Sequence, residues 1–327
     1  MTVRFPGVAL AALGWLVALG ATTAPSPARA LSPPDPRADI PWDEDPDAPG
    51  EQTTFDGVGA VEAAFDRARR EEERQFDLPG GSLGNLELPA QDEWDAMDGA
   101  RRALAITNAE RTARGGVEYP GGAPLGLPLA GVETRLDALA QRYAEFMRAN
   151  GYWGHEAPTD ATEVGDGPPL AGTDPFERID RHPALGEGAA TDGGDCHQFL
   201  GQAENLAVFA SSGADDIRLP VERAIYGFLY DDSGAAWGHR HLMLLQDEPV
   251  TGGGGGFDDD AGPTGSEGFI GVGAAGANDG SYAAFADTGT FPTQTNVVVL
   301  LIDPVPGDAC GYELREGRAG TDADPDD

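Results

Sequence analysis

The chain contains no lysine, only two cysteines and only five histidines in its 327 residues. Its basic residues are therefore all arginines, and against 56 acidic residues they leave a formal net charge of −35. A surface this acidic repels nucleic-acid phosphates and anionic lipid headgroups, which argues against nucleic-acid binding. We interpret the charge as that of a secreted or salt-adapted protein kept soluble by repulsion, and not as an acidic functional patch.

Long apolar runs are also missing, except for one near the N-terminus. Val8 to Thr22 is apolar but too short to cross a bilayer comfortably, and Arg4 precedes it. Ala28-Arg29-Ala30 follows with small residues at the two positions that a signal peptidase requires. We predict a signal peptide over residues 1–30 and a secreted protein, extracellular or periplasmic, with no membrane span in its mature chain. An uncleaved anchor is the alternative.

If the protein is exported, its two cysteines can form a disulfide, because disulfides persist in oxidising compartments. Cys196 and Cys310 are far apart in the chain, so a single long-range bridge would stabilise it by roughly 3–5 kcal/mol. Two free thiols or a metal site are the alternatives, but neither cysteine has a partner at metal-ligand spacing.

Composition divides the mature chain into three parts. Residues 31–98 are acidic, rich in proline and poor in large apolar residues, so we predict a largely disordered segment with one marginal helix near Val61 to Phe76. Residues 99–304 carry the periodic apolar patterns of a folded domain. Residues 305–327 are predicted to form an acidic C-terminal tail.

Within the folded domain, helical patterns come first and strand patterns come last. Helices are predicted from Ala100 to Arg114, from Val132 to Met147 and from Pro220 to Leu229. The late strands are predicted at Gly268–Ala274, Ser281–Ala286 and Asn296–Ile302, the first two joined as a hairpin by Asn278-Asp279-Gly280. Early helices and late antiparallel strands predict an α+β fold and argue against a parallel βαβ sheet.

Two glycine motifs match known functional patterns in letters but not in context. Gly80-Gly81-Ser82-Leu83-Gly84 matches a nucleophile elbow, yet it lies in the low-complexity segment with no strand before it. Gly271 to Gly276 matches a dinucleotide fingerprint, but it leads into a turn. The motif is therefore not followed by the helix whose N-terminus would bind a pyrophosphate. Close backbone packing explains the second set of glycines better.

Three short runs carry the sharpest chemical signal, namely Gly154-His155, Ala203-Glu204-Asn205 and Gly238-His239-Arg240. Each histidine follows a helical stretch, and Glu204 lies in a polar segment between them. Two imidazoles and one carboxylate in one cleft bind a divalent metal or share protons. The alternative is a structural cluster in which both histidines hydrogen-bond Glu204.

The same runs, taken in order with their neighbours, resemble the CAP superfamily (cysteine-rich secretory proteins, antigen 5 and pathogenesis-related 1) in its bacterial extracellular, SCP-like branch. Thr107 to Arg111 resembles the opening N-x-x-R helix of that family. Leu136 to Met147 followed by His155 is similar to its second helix and first cleft histidine. Thr173 to Ile179 resembles the bacterial sPfeRi segment.

The resemblance continues to the end of the domain and spans about residues 100–304. Glu204-Asn205-Leu206 is similar to the GEN-I/L motif, although Ala203 stands where glycine is usual. Gly238-His239-Arg240 and Leu244 resemble the second histidine motif, and Gly271-Val272-Gly273 fits the closing sheet. No single motif is specific, and their order and spacing carry the match.

The resemblance implies a three-layer α-β-α sandwich with an antiparallel sheet and a central cleft for a divalent metal such as Zn²⁺. The implied metal residues are His155, Glu204 and His239, with Asp231 as the fourth and Asp232 as its alternative. It also implies a monomeric binding or signalling module that recognises a protein, lipid or small-molecule ligand. The alternative is a metal-assisted extracellular hydrolase, a peptidase or esterase, although no serine or cysteine nucleophile accompanies the cluster.

Overall fold

The computed structural model describes residues 33–42, 57–120, 122–124, 126–185, 189–191, 194–196, 199–211, 217–244, 268–282, 284, 291–304 and 312–315. The predicted signal peptide lies outside these residues, as does most of the predicted C-terminal tail. In the part of the chain that is described, no helix combines the length and the apolar character that a bilayer span requires.

The helices agree with the predicted periodicity wherever that pattern was strong. The seven α-helices of the described residues are α1 (Val58–Gln75), α2 (Gln91–Ala96), α3 (Gly99–Arg114), α4 (Thr134–Ala149), α5 (Pro175–Asp180), α6 (Pro220–Tyr230) and α7 (Gly238–Leu244). Asp98 caps α3 by accepting a hydrogen bond from the Arg101 amide, and Glu133 caps α4 through the Leu136 amide. The predicted helices at α3, α4 and α6 are thereby confirmed.

The strands form one mixed sheet of five and a separate pair. They are β1 (Gly131–Glu133), β2 (Ala189–Thr191), β3 (Gly194–Cys196), β4 (Phe199–Ser211), β5 (Phe269–Ala277), β6 (Thr293–Pro304) and β7 (Leu314–Arg315). The order in the large sheet is β4-β6-β5-β1-β7, and β2 pairs with β3. Because β1 runs parallel to β5, the expectation of a purely antiparallel sheet is wrong, whereas the α+β class is confirmed.

The predicted hairpin is also wrong. The partner of β5 is β6, with Val272 opposite Val299, and the described residues 281, 282 and 284 are not strand. The turn at 278–280 therefore leads out of β5 into a longer connection. The predicted C-terminal tail likewise contributes Leu314–Arg315 to the sheet, where β7 pairs with β1.

Helices cover both faces of the large sheet. The evidence is that successive residues of β6 belong to different core clusters. Val297, Val299 and Leu301 pack with α1, α3, α6 and α7 in the first cluster. Val298, Leu300 and Ile302 pack with α4 in the second cluster. Alternating residues of a strand point to opposite faces, so β6 is buried on both sides, as its continuous apolar run predicts.

Helix α1 belongs to the core of the folded unit. Val61, Ala64, Phe65 and Ala68 are buried in the first cluster, and Trp94 of α2 joins them. The helix predicted near Val61 to Phe76 is therefore confirmed, whereas the expectation of disorder around it is wrong for residues 57–98. The charged residues of this helix are in part buried ion pairs, as between Arg69 and Glu110.

Two glycines of β5 allow α4 to lie directly on the sheet. A Cβ built at Gly271 would be 2.4 Å from the carbonyl carbon of Leu136, and one built at Gly273 would be 2.3 Å from that of Ala140. Strand β1 is short and pairs only with Phe269 and Ile270 of β5. Farther along β5, α4 supplies a hydrogen-bond partner, since Asp137 accepts from the Val272 amide at 3.0 Å. Close backbone packing, and not a nucleotide site, accounts for these glycines.

The predicted disulfide stays a prediction, because Cys310 lies outside the described residues and the side chain of Cys196 is not described. We expect non-reducing peptide mapping of the exported protein to recover one peptide pair that links the two cysteines. Two alkylatable thiols in the folded protein would contradict the bridge.

Candidate functional site

His155 is held by a buried carboxylate at one side of the sheet. Its Nδ1 lies 2.9 Å from Oε1 of Glu204, on β4. The imidazole is 29% exposed, whereas the carboxylate side chain is 1% exposed. A partly exposed imidazole that is oriented from behind by a buried carboxylate can still offer its Nε2 to a ligand.

Glu204 is itself fixed by Arg178 of α5. Nη2 of Arg178 donates to both carboxylate oxygens, at 2.8 Å to Oε1 and 2.6 Å to Oε2. Burial disfavours the charged guanidinium, but Glu204 together with Tyr143 and Tyr152 outweighs burial and raises the pKa of Arg178 above its ordinary value. Arg178 and Glu204 thus form a buried salt bridge, and His155 is the third member of the cluster.

Tyr143 of α4 contacts both Arg178 and the loop that carries His155. The guanidinium carbon of Arg178 lies 3.6 Å from the centre of the Tyr143 ring, a cation–π contact. The Tyr143 hydroxyl donates to the Gly154 carbonyl at 2.6 Å, which fixes the loop that carries His155. Burial raises the pKa of Tyr143 well above its ordinary value, so its hydroxyl stays a donor at physiological pH.

The position of Arg178 is encoded in the start of α5. Asp174 and Glu177 form a capping box around Pro175, which occupies the first turn. This local signal begins a helix of only six residues and directs Arg178 inward, where its Nη1 also donates to the Thr173 carbonyl at 3.0 Å. The segment that resembles the sPfeRi motif thus supplies the anchor of Glu204.

His239 forms a second, separate pair with a carboxylate. Its Nδ1 lies 2.6 Å from Oδ1 of Asp232, and Oδ2 of Asp232 accepts the His239 amide at 2.9 Å. The Arg240 amide lies 3.2 Å from the same Oδ2. Asp231, the predicted fourth member, is instead the C-cap residue of α6, and the carboxylate that contacts His239 belongs to its alternative, Asp232.

Strand β4 connects the two pairs but places them on opposite faces. Ala203 and Ala207 belong to the first core cluster and Leu206 to the second, so Glu204 and Asn205 point to different sides. Asn205 donates to the His239 carbonyl at 3.1 Å, while Glu204 contacts His155. Within the described residues, β4 is an edge strand of the sheet, so both pairs contact the same edge strand.

The other α7 histidine does not join this arrangement. On a helix, residues two apart diverge, and Nε2 of His241 lies 2.5 Å from Oδ1 of Asp35 at the protein surface. Within the described ranges, no group of three or more histidine, cysteine, aspartate and glutamate side chains is arranged to hold a metal ion. The predicted residues are therefore ordered as two imidazole–carboxylate pairs.

The sequence did not identify Arg178, Tyr143 and Asn205 as site residues. Asn205 follows Glu204 directly, and strand alternation could have placed it against the other histidine had β4 been recognised as a strand. Arg178 lay inside a recognised motif, but only the fold shows which carboxylate it meets. Asp232 and Asp231 could not be separated by sequence, because the end of α6 decides between them.

Comparison with known proteins leaves the family unassigned. No protein-family model matches the chain, and no curated protein matches it. Among solved structures, the chain is similar to the CAP domain of Enterococcal PrgA with a TM-score of 0.30 and 13% sequence identity, over 80% of this chain and 84% of that one. A TM-score this low does not establish a shared fold, so membership of the CAP superfamily stays a prediction.

Proposed function

We propose that this protein is an exported, CAP-like binding domain with the three-layer sandwich of that family, and that His155 and His239 form its ligand-binding cleft beside the edge strand β4. The observation that carries the proposal is that both imidazoles are hydrogen-bonded through the same ring nitrogen, although the His155 side chain is 29% exposed and that of His239 only 5%. Each has its Nδ1 engaged by a buried carboxylate, which leaves Nε2 as the nitrogen available to a ligand. The ligand class is a divalent cation or a small molecule with acceptor groups.

For a cation, the carboxylates fit a supporting role better than the predicted role of direct ligand. Both oxygens of Glu204 accept hydrogen bonds from Arg178, and both oxygens of Asp232 are engaged by the His239 residue. The imidazoles would hold a Zn²⁺-like ion through Nε2, with water completing its coordination. Buried carboxylates behind metal-bound histidines orient the rings and raise their basicity.

The ion pair with Arg178 also favours binding over hydrolysis. A general base must be free to accept a proton from water. Both oxygens of the buried Glu204 carboxylate already accept hydrogen bonds from the Arg178 guanidinium, at 2.8 and 2.6 Å. Glu204 is thus suited to fixing His155 and poorly suited to activating water.

Zinc binding by calorimetry tests the cleft. We expect the wild-type protein to bind Zn²⁺ at pH 7.5 and to bind it much more weakly at pH 5.5, because protonated histidine cannot ligate a metal. His155→Ala and His239→Ala should each remove most of the binding, and Glu204→Gln should weaken it by roughly 10- to 100-fold.

The matched control is His241→Ala. It removes an imidazole from the same helix as His239, but this imidazole contacts Asp35 at the protein surface and not the proposed cleft. This variant should bind Zn²⁺ like the wild type. Equal binding by the wild type and all four variants would place the ion on the acidic surface instead. No binding by the wild type would leave the two pairs as structural clusters.

A further inference from the structure

Residues 33–42 form an N-terminal strap that crosses α1, α6 and α7. The Ile40 side chain is buried, and its amide donates to the Tyr230 carbonyl at 2.7 Å. Ala38 exchanges two hydrogen bonds with the Gln75 side chain, at 3.1 and 3.2 Å. Trp42 at its end packs against Arg223, whose guanidinium carbon lies 4.2 Å from the ring centre.

The strap contacts the turn that carries Asp232. Oδ1 of Asp39 accepts the Ser233 amide at 2.7 Å, and Oδ2 of Asp39 accepts the Ser233 hydroxyl. Ser233 follows Asp232 directly, and Asp232 holds both the ring and the amide of His239. The residue that the strap contacts is therefore the direct neighbour of the residue whose carboxylate orients the imidazole.

This turn needs support because its backbone is strained. Ala236 and Trp237 have φ values of 51° and 62°, the left-handed region that costs non-glycine residues about 1–2 kcal/mol each. The carbonyl of Asp232 accepts the amides of Ala235 and Trp237, both at 3.0 Å. Strained backbone persists where the surrounding contacts fix it, and Asp39 adds two such contacts from outside the turn.

We propose that the strap is a positioning element for His239 and that Asp39 is its key residue. A docked strap fixes Ser233, and through it Asp232 and the imidazole. A released strap leaves the strained turn free to relax, which disorders the Asp232–His239 pair. This inference rests on the proposed function in one respect, that His239 belongs to the ligand-binding cleft.

Amide hydrogen exchange of the mature chain without added metal tests the proposal. In Asp39→Ala, we expect the His239 and Arg240 amides, which donate to Asp232, to exchange at least tenfold faster than in the wild type. The amides of α4 should be unchanged, which shows that the variant remains folded. Asp39→Asn should restore part of the protection, because its amide oxygen can still accept from the Ser233 amide.

Asp35→Ala is the matched control, since Asp35 lies in the same strap but contacts the His241 ring. It should leave the His239 and Arg240 amides within twofold of wild type. Unchanged exchange in Asp39→Ala, or equal acceleration in both variants, would overturn the proposal. If exchange responds as expected but wild-type protein binds no Zn²⁺, the strap mechanism stands and only the metal-binding function fails.

Discussion

Gly273→Ala is expected to destabilise the protein by about 3 kcal/mol or more, because the new methyl group meets backbone that cannot move aside. Its Cβ would lie 2.3 Å from the carbonyl carbon and oxygen of Ala140. Relief requires α4 to move away from β5, which would loosen the second core cluster and the Gln141 contact to the Ala274 amide at 3.0 Å. Equilibrium urea unfolding of both proteins measures the difference.

Gly227→Ala provides the matched control for the same change of side chain. Gly227 lies within α6, and a Cβ built there meets nothing within 4 Å. Alanine in a helix interior is favoured over glycine, so this variant should be more stable by up to about 1 kcal/mol. If both variants unfold at the wild-type urea concentration, the close approach of α4 to β5 is not present in solution.

The Gly271 and Gly273 motif shows what the sequence could establish by itself. Its letters matched a nucleotide fingerprint, but the absence of a following helix ruled that out and left close packing as the reason. The helix that packs there, α4, was also predictable from its apolar spacing. What the sequence could not provide was the pairing between them, since the contact joins residues more than 130 positions apart.

Helix α1 shows why composition misled. Its charged residues are typical of a solvated helix, and neither the burial of Arg69 nor that of Glu72 can be read from local pattern. Their partners come from α3 and α7, far away in the chain. Composition predicts disorder well only where charges have no distant partners, and this segment has several.

The candidate site could be predicted to the level of residue types. His155, Glu204 and His239 were predicted from the order and spacing of their motifs, and in the fold His155 contacts Glu204 while His239 contacts Asp232. The sequence suggested one shared cluster, whereas the structure has two pairs separated by β4. The reason is the alternation of side chains along a strand, which sends Glu204 and Asn205 to opposite faces. That alternation could be applied only after the polar segment was known to be a strand.

A buried network of ion pairs joins α1 to α7, the helix that carries His239. Glu72 accepts from Arg114 at 2.5 Å, from Arg240 at 2.8 Å and from the Tyr119 hydroxyl at 2.9 Å. Arg114 also pairs with Glu110 at 2.7 Å. Arg240 directly follows His239, so Glu72 anchors α7 through the Arg240 guanidinium.

Glu72→Gln is expected to cost about 3–5 kcal/mol at pH 7, because it removes the carboxylate paired with the buried Arg240 and one of the two carboxylates paired with the buried Arg114. Burial by itself would raise the pKa of Glu72, but Arg114 and Arg240 outweigh it and lower the pKa to about 2. A carboxylate with a lowered pKa stabilises the folded state above its unfolded pKa of about 4.5, and this contribution is lost as the pH falls toward 2. The difference in unfolding free energy between wild type and variant should therefore shrink from pH 7 to pH 3.

Glu222→Gln makes the same substitution at an equally buried glutamate and should behave in the opposite way. Burial raises the pKa of Glu222, and the Arg102 guanidinium, 3.2 Å away, compensates only in part. Its charged form costs folding free energy above pH 4.5, so a neutral amide should leave stability at pH 7 equal to wild type or higher. A loss of several kcal/mol in both variants would indicate that glutamine disrupts packing at each site. A loss in Glu72→Gln alone, decreasing with pH, would assign the effect to the charge of Glu72.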